Sequence, residues 1–417
     1  MVAACQTIPN THKIRRARQE QSGTSEILDG QTPEPSAVGG QAAGLRNAQV
    51  SVHEADPVGA IAAGLGPGPF ELVLLFVSNR GNFAALSAEA HERLDARHVT
   101  ACTTAGEIGA EGYEEDQIVA LGLLPSHFRA VCYLVDGLDR LDPQSEIDKL
   151  IRHRVALADC APDFTSEFAF LAIDGLSLRE DELTAVLSAG LGGVPLFGGS
   201  AGDGEAFRRT LLALDGETRG NAAVVSMVRS TCPIRVFSLD HLTPTDIKMV
   251  VTDADPERRI VRQINAEPAA REYARIVGKL PDQLDQFTFA AHPVVVQLGH
   301  RHHVRAIQRV NAAGELVFFS AIDEGMVLTL ATTEDMAGHL ETELSGLSRD
   351  RDPAMILGCD CILRRLEAGQ NQQSRAVSDV LRRHNVRGFS TYGEQLGALH
   401  VNHTMTGVAF YPPDDAE

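Results

Sequence analysis

The stretch "VTACTTAGEIG", residues 99–109, begins as a β-prone run and ends in a glycine turn. Its segment Thr104-Ala105-Gly106-Glu107 has the order hydroxyl, any residue, glycine, carboxylate, which recurs at Ser200–Asp203 and Thr391–Glu394. This order predicts a tight turn at a strand end, with glycine at positive φ and the polar side chains bonded to turn amides. Three such turns indicate a duplicated substructure, although tetrapeptides this short also recur by chance.

Strands alternate with helices around these turns. "ELVLLFVS" (71–78) is a run of the buried-strand type, and "FAALSAEAHERLDAR" (83–97) has helical spacing. The alternation indicates α/β layering, while a hairpin over 210–228 that turns at Asp215-Gly216 indicates mixed sheets. We therefore predict a mixed α/β (α+β) fold of two domains, each with mixed sheets flanked by helices.

The length of the chain supports the division into two domains. Its 417 residues exceed what one ordinary hydrophobic core holds. Residues 1–48 are rich in Gln, Ser, Thr, Gly and Pro, and they predict a flexible N-terminal tail. We place an N-terminal domain at 49–240 and a C-terminal domain at 241–417.

Composition restricts the partners. A net charge of −19 argues against a nucleic-acid partner, because phosphate binding needs a positive surface. No window holds 18 uninterrupted apolar residues and the first residues lack the apolar core of a signal peptide, so we expect no membrane partner and a cytoplasmic location. Seven scattered cysteines fit buried thiols in a reducing compartment.

Motifs for nucleotide binding and catalysis are missing from the sequence. "LFGGSAGDGEAF" (196–207) has neither a Gly-Lys-Ser/Thr ending nor Gly-x-Gly-x-x-Gly spacing, and its carboxylates would repel phosphate. No Gly-x-Ser-x-Gly motif and no recognisable nucleophile–base set occur. We expect a binding protein without its own catalysis.

Three segments resemble a known family. "ACTTAGEIG", "PLFGGSAGDG" and "GFSTYGEQ" are similar to signatures of FIST sensory proteins, which carry N-terminal and C-terminal FIST domains, and the resemblance covers roughly residues 65–410. A narrower resemblance, to the nitric-oxide-sensing branch called NosP, rests on "ILGCDCILRRLE" (356–367) and "GFSTYGEQLGALHVNHTMTGVAF" (388–410).

The narrower resemblance implies a function. Proteins of that branch bind haem b, sense nitric oxide, and regulate a histidine kinase or a cyclic-di-GMP enzyme (a diguanylate cyclase or phosphodiesterase). A homodimer is a further expectation. The alternative is a haem-free FIST sensor of a small metabolite such as an amino acid.

Histidines are the candidates for the haem iron. His241 follows an apolar strand at the predicted domain junction, where ligand sites concentrate, and it matches the resemblance; it is our first choice as axial ligand. The alternative is a histidine that caps the strand end by a hydrogen bond. The loop with His300, His302 and His303 is a weaker candidate.

His400 is our second choice, and Tyr392 and Glu394 either line the same cavity or form the framework of their turn. The tail "GALHVNHTMTGVAF" (397–410) predicts a strand, in which residues three apart point to opposite faces. His400 and His403 therefore should not hold one ion together, and we expect His403 to be structural.

Overall fold

Three copies of one supersecondary unit form most of the fold in the computed structural model, which describes residues 38–42, 44–298 and 301–413. Each unit has an edge strand, a helix, a strand, a second helical segment, a strand parallel to the previous one, a hairpin and a final antiparallel strand. The first unit follows β1 (Val38–Ala42) and contains β2 (Leu45–Ser51), α1 (Pro57–Leu65), β3 (Phe70–Ser78), α2 (Phe83–Arg93), β4 (Ala96–Thr104), β5 (Glu107–Gly109), β6 (Gly112–Glu114) and β7 (Gln117–Leu123).

The other two units repeat this order. The second contains β8 (Phe128–Asp136), α3 (Pro143–Cys160), β9 (Ser166–Asp174), α4 (Glu180–Leu191), β10 (Leu196–Ala201), β11 (Leu212–Leu214), β12 (Glu217–Arg219) and β13 (Ala222–Ser230). The third contains β14 (Ile234–Leu239), α7 (Met336–Leu347), β23 (Met355–Cys361), α8 (Ile362–Gln370), α9 (Ser374–Arg383), β24 (Val386–Thr391), β25 (Glu394–Leu396), β26 (Leu399–Val401) and β27 (Met405–Phe410).

A long insert separates β14 from α7 in the third unit. It contains β15 (Leu242–Asp255), β16 (Ile260–Ile264), β17 (Glu267–Pro268), α5 (Ala269–Ile276), α6 (Gln286–Ala291), β18 (Val294–Leu298), β19 (Arg301–Val304), β20 (Ile307–Val310), β21 (Leu316–Phe318) and β22 (Val327–Thr333). Its strands form an antiparallel sheet of order β19-β18-β22-β15-β16-β21-β20. We call this segment the insert and the three units together the body.

Each of the three sheets of the body is extended at one side by a hairpin from another unit. Each sheet holds four strands of one unit and the hairpin of another, and the first sheet also holds β1. The orders are β1-β2-β7-β3-β4-β11-β12, β8-β13-β9-β10-β25-β26 and β14-β27-β23-β24-β5-β6. The first unit thus receives the hairpin of the second, the second that of the third, and the third that of the first. The duplicated substructure indicated by the three turns is confirmed, as three units in cyclic arrangement.

One apolar core joins the units. Phe76 of β3 stacks on Phe389 of β24 at 4.5 Å between ring centroids, and its edge contacts Phe170 of β9 at 6.2 Å. All three rings are at most 3% exposed. The outer face of each sheet is covered by the helices of its own unit, which bury separate apolar clusters. Each sheet is therefore apolar on both faces, as continuous runs such as "ELVLLFVS" predict.

The predicted fold class is confirmed, and the predicted division of the chain needs comment. The boundary at 240/241 coincides with the start of the insert, but residues 336–410 return to the body and share sheets with the first half. The tail predicted for 1–48 lies mostly outside the described residues. Its last part, from Leu45, belongs to β2, so strand structure begins earlier than predicted. Within the described ranges, no helix combines the length and apolarity needed to cross a membrane.

The shared core should set the stability of the whole body. Phe389→Ala removes a fully buried ring that contacts another unit, and we expect it to cost about 3–5 kcal/mol in the free energy of unfolding. Chemical denaturation measures this loss. The control is Phe287→Ala, at a ring that is 47% exposed, which should cost far less; equal losses would contradict a core shared by the units.

Candidate functional site

The three turns with the order hydroxyl, any residue, glycine, carboxylate lie together at one end of the body. The Ser200 amide donates to the Gly393 carbonyl at 2.8 Å, and the Ser390 amide donates to the Gly106 carbonyl at 2.7 Å. Gly106 has the predicted positive φ, 123°, whereas Gly393 is needed for space: a Cβ there would lie 2.3 Å from Cε1 of His400. The predicted positive φ is therefore confirmed at Gly106 and is wrong at Gly202 and Gly393.

The carboxylates of the turns bind hydroxyls and strand amides. Thr104 and Thr391 hydrogen-bond the carboxyl groups of Glu107 and Glu394, three residues later. The other oxygen of Glu394 accepts from the amide and hydroxyl of Thr404 at 3.3 and 2.7 Å. Burial raises the pKa of Glu394 to about 8 and that of Glu107 to about 7. Glu394 thus acts as framework of its turn.

A cleft of about 630 Å³ opens beside the first turn, between the body and the insert. The carboxyl ends of β3 and β4 and the loop after β10 form its floor, α8 forms one wall, and Phe287 of α6 contributes from the insert. Ligands of α/β proteins commonly bind at the carboxyl ends of parallel strands. We call it the acidic cleft, because five carboxylate residues line it against two arginines: Glu107, Glu115, Asp116, Asp203 and Glu205 against Arg80 and Arg365.

The two arginines of the acidic cleft differ in exposure. Arg80 is 63% exposed and pairs with Asp116 at 3.0 Å. Arg365 is 15% exposed, donates to the Glu114 carbonyl at 2.8 Å, and pairs with Glu115 at 3.5 Å. Arg80 is therefore free to reorient toward a ligand, while Arg365 is held against the hairpin β5–β6.

A buried polar network adjoins this cleft. Tyr113, which lines the cleft, donates to Asp360, and Asp360 accepts from Nε of Arg364 at 2.7 Å. Nη1 of Arg364 donates to Nδ1 of His241 at 2.7 Å, and Nε2 of His241 lies 3.0 Å from Oε2 of Glu367. Arg364, Glu367 and Asp360 are each at most 1% exposed, so the network is closed to solvent.

The network ends at His403 and at the insert. Nε2 of His403 lies 2.9 Å from the same Oε2 of Glu367. The His241 carbonyl accepts from the Glu334 amide at 2.9 Å, which ties the two chain segments that connect the insert to the body. The network thus extends from the acidic cleft to the base of the insert.

Protonation states follow from the donors. Arginine only donates, so Nδ1 of His241 must accept and its proton must sit on Nε2, facing Glu367. Burial lowers the pKa of His241 to about 4, which agrees with a neutral ring. Burial alone would raise the pKa of Glu367, but hydrogen bonds from His241 and His403 lower it to about 2. Glu367 is therefore ionised and His241 neutral at pH 7.

His241, Glu367 and His403 have the donor types of a zinc site, and their ligand atoms lie within 4.8 Å of one another. A metal ion needs the lone pair of a histidine nitrogen. The proton on Nε2 of His241 blocks that lone pair as long as Arg364 occupies Nδ1. In this structure the triad is a hydrogen-bonded network rather than a ready metal centre.

Haem b does not fit at His241 in this structure. The side chain is 0% exposed and both ring nitrogens bind protein groups. His241 here matches the alternative of a hydrogen-bonded histidine at the strand end. Among the described residues, no histidine lines the acidic cleft, and none lines a second cleft that lies between the body and the insert where β9 ends.

The second-choice histidine has a free nitrogen. His400 is 2% exposed, its Nδ1 lies 3.2 Å from Nε2 of Gln395, and its Nε2 has no partner among the described residues. Burial lowers its pKa, so the ring is neutral. Tyr392 has partners other than the candidate histidines: its hydroxyl donates to Asp203, and its ring packs on Phe207 at 4.5 Å between ring centroids.

The tail is not one continuous strand. β26 and β27 lie in different sheets, and the chain between them turns at His403, whose φ is 56°. His400 and His403 therefore reach separate surroundings, as predicted, but His403 joins His241 on one carboxylate, which strand geometry did not predict. His302 and His303 lie on β19, and His300 lies outside the described residues.

Glu367, Arg364 and Asp360 were missed as site residues. Their signal is the spacing within "ILGCDCILRRLE": Arg364 and Glu367 are three apart and share one face of α8, and Asp360 lies on β23, four residues before Arg364. Charged side chains at apolar-flanked positions on one face indicate a buried network.

Comparison with known proteins identifies one family domain in each half of the chain. A model described as the FIST N domain matches residues 71–267, and one described as the FIST C domain matches residues 269–396. No curated protein matches the chain significantly. The two domain models meet inside the insert, near β17.

The buried carboxyl of Glu394 gives a pH prediction. Its pKa is raised from 4.5 to about 8, so between these values the folded state holds a proton that the unfolded state has lost. Stability should fall as pH rises, by about 1.4 kcal/mol per pH unit for one full proton. Glu394→Gln keeps the neutral shape, and we expect it to be more stable than the wild type at pH 8, with a smaller difference at pH 5.

Urea denaturation of both proteins at the two pH values measures this difference. Glu205→Gln, at an exposed carboxylate, is the matched control and should leave the pH dependence unchanged. A Glu394→Gln protein that is less stable than wild type at pH 8 would show that the carboxyl is ionised in the fold.

Proposed function

We propose that this chain, which belongs to the FIST-domain proteins, is a sensor of a small metabolite. The metabolite carries an ammonium group, as amino acids do, and binds in the acidic cleft. The observation that carries this proposal is the cleft itself: about 630 Å³ at the carboxyl ends of β3 and β4, walled by both the body and the insert. Clefts of 300–1,000 Å³ are typical of small-molecule sites.

The charges of the cleft favour an amino acid over an anion. Glu205 is exposed on the side formed by the second unit, where its carboxylate would accept from a ligand ammonium. The neighbouring Asp203 adds negative charge, while its oxygens already accept from the Tyr392 hydroxyl and from two backbone amides. Arg80 on the opposite strand end would pair with a ligand carboxylate, since its present partner Asp116 is a surface pair of low value. Opposite charges at two ends of one cleft suit a zwitterion.

Helix α8 would couple the ligand to the rest of the protein. Arg365, Leu366 and Gly369 face the acidic cleft, while Arg364 and Glu367 on the same helix belong to the buried network. A shift of α8 on ligand binding would therefore alter the hydrogen bonds of His241 at the base of the insert. The output partner remains the one that the NosP resemblance implies, a histidine kinase or a cyclic-di-GMP enzyme.

A second candidate is the haem-based nitric oxide sensor. The observation that favours it is the unpartnered Nε2 of His400, a neutral buried nitrogen of the type that binds haem iron. Haem would supply an iron that binds nitric oxide. It ranks second because no described histidine lines either cleft, so haem binding at His400 would require the body and the insert to separate.

A ligand screen tests the first candidate. We expect one or more L-amino acids to raise the melting temperature of the protein, and the N-acetyl derivative, which lacks the ammonium group, to have no effect. Glu205→Gln and Arg80→Gln should each weaken binding about tenfold, the loss of roughly one charge-assisted hydrogen bond, as measured by calorimetry.

Arg152→Gln, at an exposed arginine on α3, is the control and should bind as wild type does. The proposal fails if no amino acid binds at millimolar concentration, or if the two cleft variants bind as tightly as the control.

Absorption spectra separate the two candidates. For the amino-acid sensor we expect haem mixed with the protein to give the spectrum of free haem, unchanged by nitric oxide beyond what free haem shows. A sharp Soret band in the wild type and in His241→Ala that disappears in His400→Ala would reverse the ranking of the candidates.

A further inference from the structure

A second cleft between the body and the insert has the opposite charge. It has a volume of about 480 Å³ and lies where β9 ends, against strands β16, β20 and β21 of the insert. Arg258, Arg259 and Arg309 line it, and no carboxylate is among the described residues that line it. We call it the basic cleft. In a chain with a net charge of −19, a cleft lined by cations alone is a local departure from the average.

Two of these arginines have no side-chain partner among the described residues. Arg259 is buried and is neutralised by Glu180 at 2.7 Å and Asp181 at 3.0 Å. The side chains of Arg258 and Arg309 are exposed and form no ion pair or hydrogen bond with the described residues. Two unpaired guanidinium groups in one concave site would bind a carboxylate or another anion.

The walls of the basic cleft are apolar. Phe318 and Phe319 come from the insert, and Phe207 and Leu176 come from the body. Phe207 and Phe319 lie 5.7 Å apart between ring centroids, and Phe207 also packs on Tyr392. Aromatic and apolar walls with a few polar groups at one side are the usual composition of an organic-ligand site.

The backbone around the basic cleft is held in rare conformations. Leu178, Phe207 and Arg259 have φ values of 60°, 50° and 53°. Among the described residues, six that are neither Gly, Asn nor Asp have positive φ, and these three make up half of them. Such conformations cost about 1–3 kcal/mol each and cluster at ligand sites, where the surrounding structure holds them.

We propose that the basic cleft is a second binding site, for an organic anion that joins a carboxylate to an aromatic or similarly flat apolar body. Arg258 and Arg309 hold the carboxylate, and the phenylalanine walls take the apolar part. The ligand contacts the body through Phe207 and the insert through the arginines, so its binding stabilises the contact between the two. Because the lining residues differ from those of the acidic cleft, this site does not depend on the proposed amino-acid function.

A pair of probes with one ring and opposite charges tests the proposal. Indole-3-acetate should bind the full chain in calorimetry, and tryptamine, which carries an ammonium on the same ring, should bind at least tenfold more weakly. Arg258→Gln and Arg309→Gln should each weaken indole-3-acetate binding about tenfold, at low and equal ionic strength, because exposed charge pairs are screened by salt.

Arg271→Gln, at an exposed arginine elsewhere on the insert, is the control and should bind as wild type does. Thermal unfolding of each variant checks that the fold is kept, which we expect because Arg258 and Arg309 are exposed. The proposal is overturned if indole-3-acetate does not bind at millimolar concentration, if tryptamine binds equally well, or if the control loses as much affinity as the two cleft variants.

Discussion

The exchange of a hairpin between units is the constraint on which the rest of the structure depends. β5–β6 pairs with β24, β11–β12 with β4, and β25–β26 with β10, so each unit's parallel strand pair is completed by residues of another unit. The backbone groups of β4, β10 and β24 on that side would otherwise be unpaired within the core, at a cost of about 1–3 kcal/mol for each buried group. Each sheet therefore requires all three units, and the turns that start the hairpins are drawn to one end of the body.

The insert breaks the equivalence of the three units and so determines where ligands can bind. In the third unit β23 ends at Cys361 and α8 starts at once, whereas the ends of β3 and β9 lead into loops. Both clefts lie at those two loops, with the insert as the opposite wall. These two clefts differ in charge because the body supplies the carboxylates of the acidic cleft, whereas the insert supplies the arginines of the basic cleft.

Local sequence signals predicted the units but not their assembly. The hairpin predicted to turn at Asp215-Gly216 is confirmed, since a two-residue glycine turn is a local feature. Strand exchange depends on pairings between residues far apart in the chain, such as Ile108 with Gly388, 280 positions apart, and no local pattern encodes them. The same holds for His403. Strand periodicity predicted a continuous tail, while the left-handed turn at His403 that brings it to Glu367 depends on β26 and β27 joining different sheets.

Burial of the charged groups of the network costs free energy that an apolar helix–strand contact would not cost. The position of the network indicates a role other than stability. Replacement of a buried ion set by apolar side chains of similar volume is often neutral or stabilising, so stability alone does not account for Arg364, Asp360 and Glu367. These residues connect Tyr113 in the acidic cleft to His241 at the base of the insert. A set of directional hydrogen bonds has discrete alternative arrangements. A network of this kind between a cleft and a connecting segment is therefore suited to transmit occupancy of the cleft to the orientation of the insert.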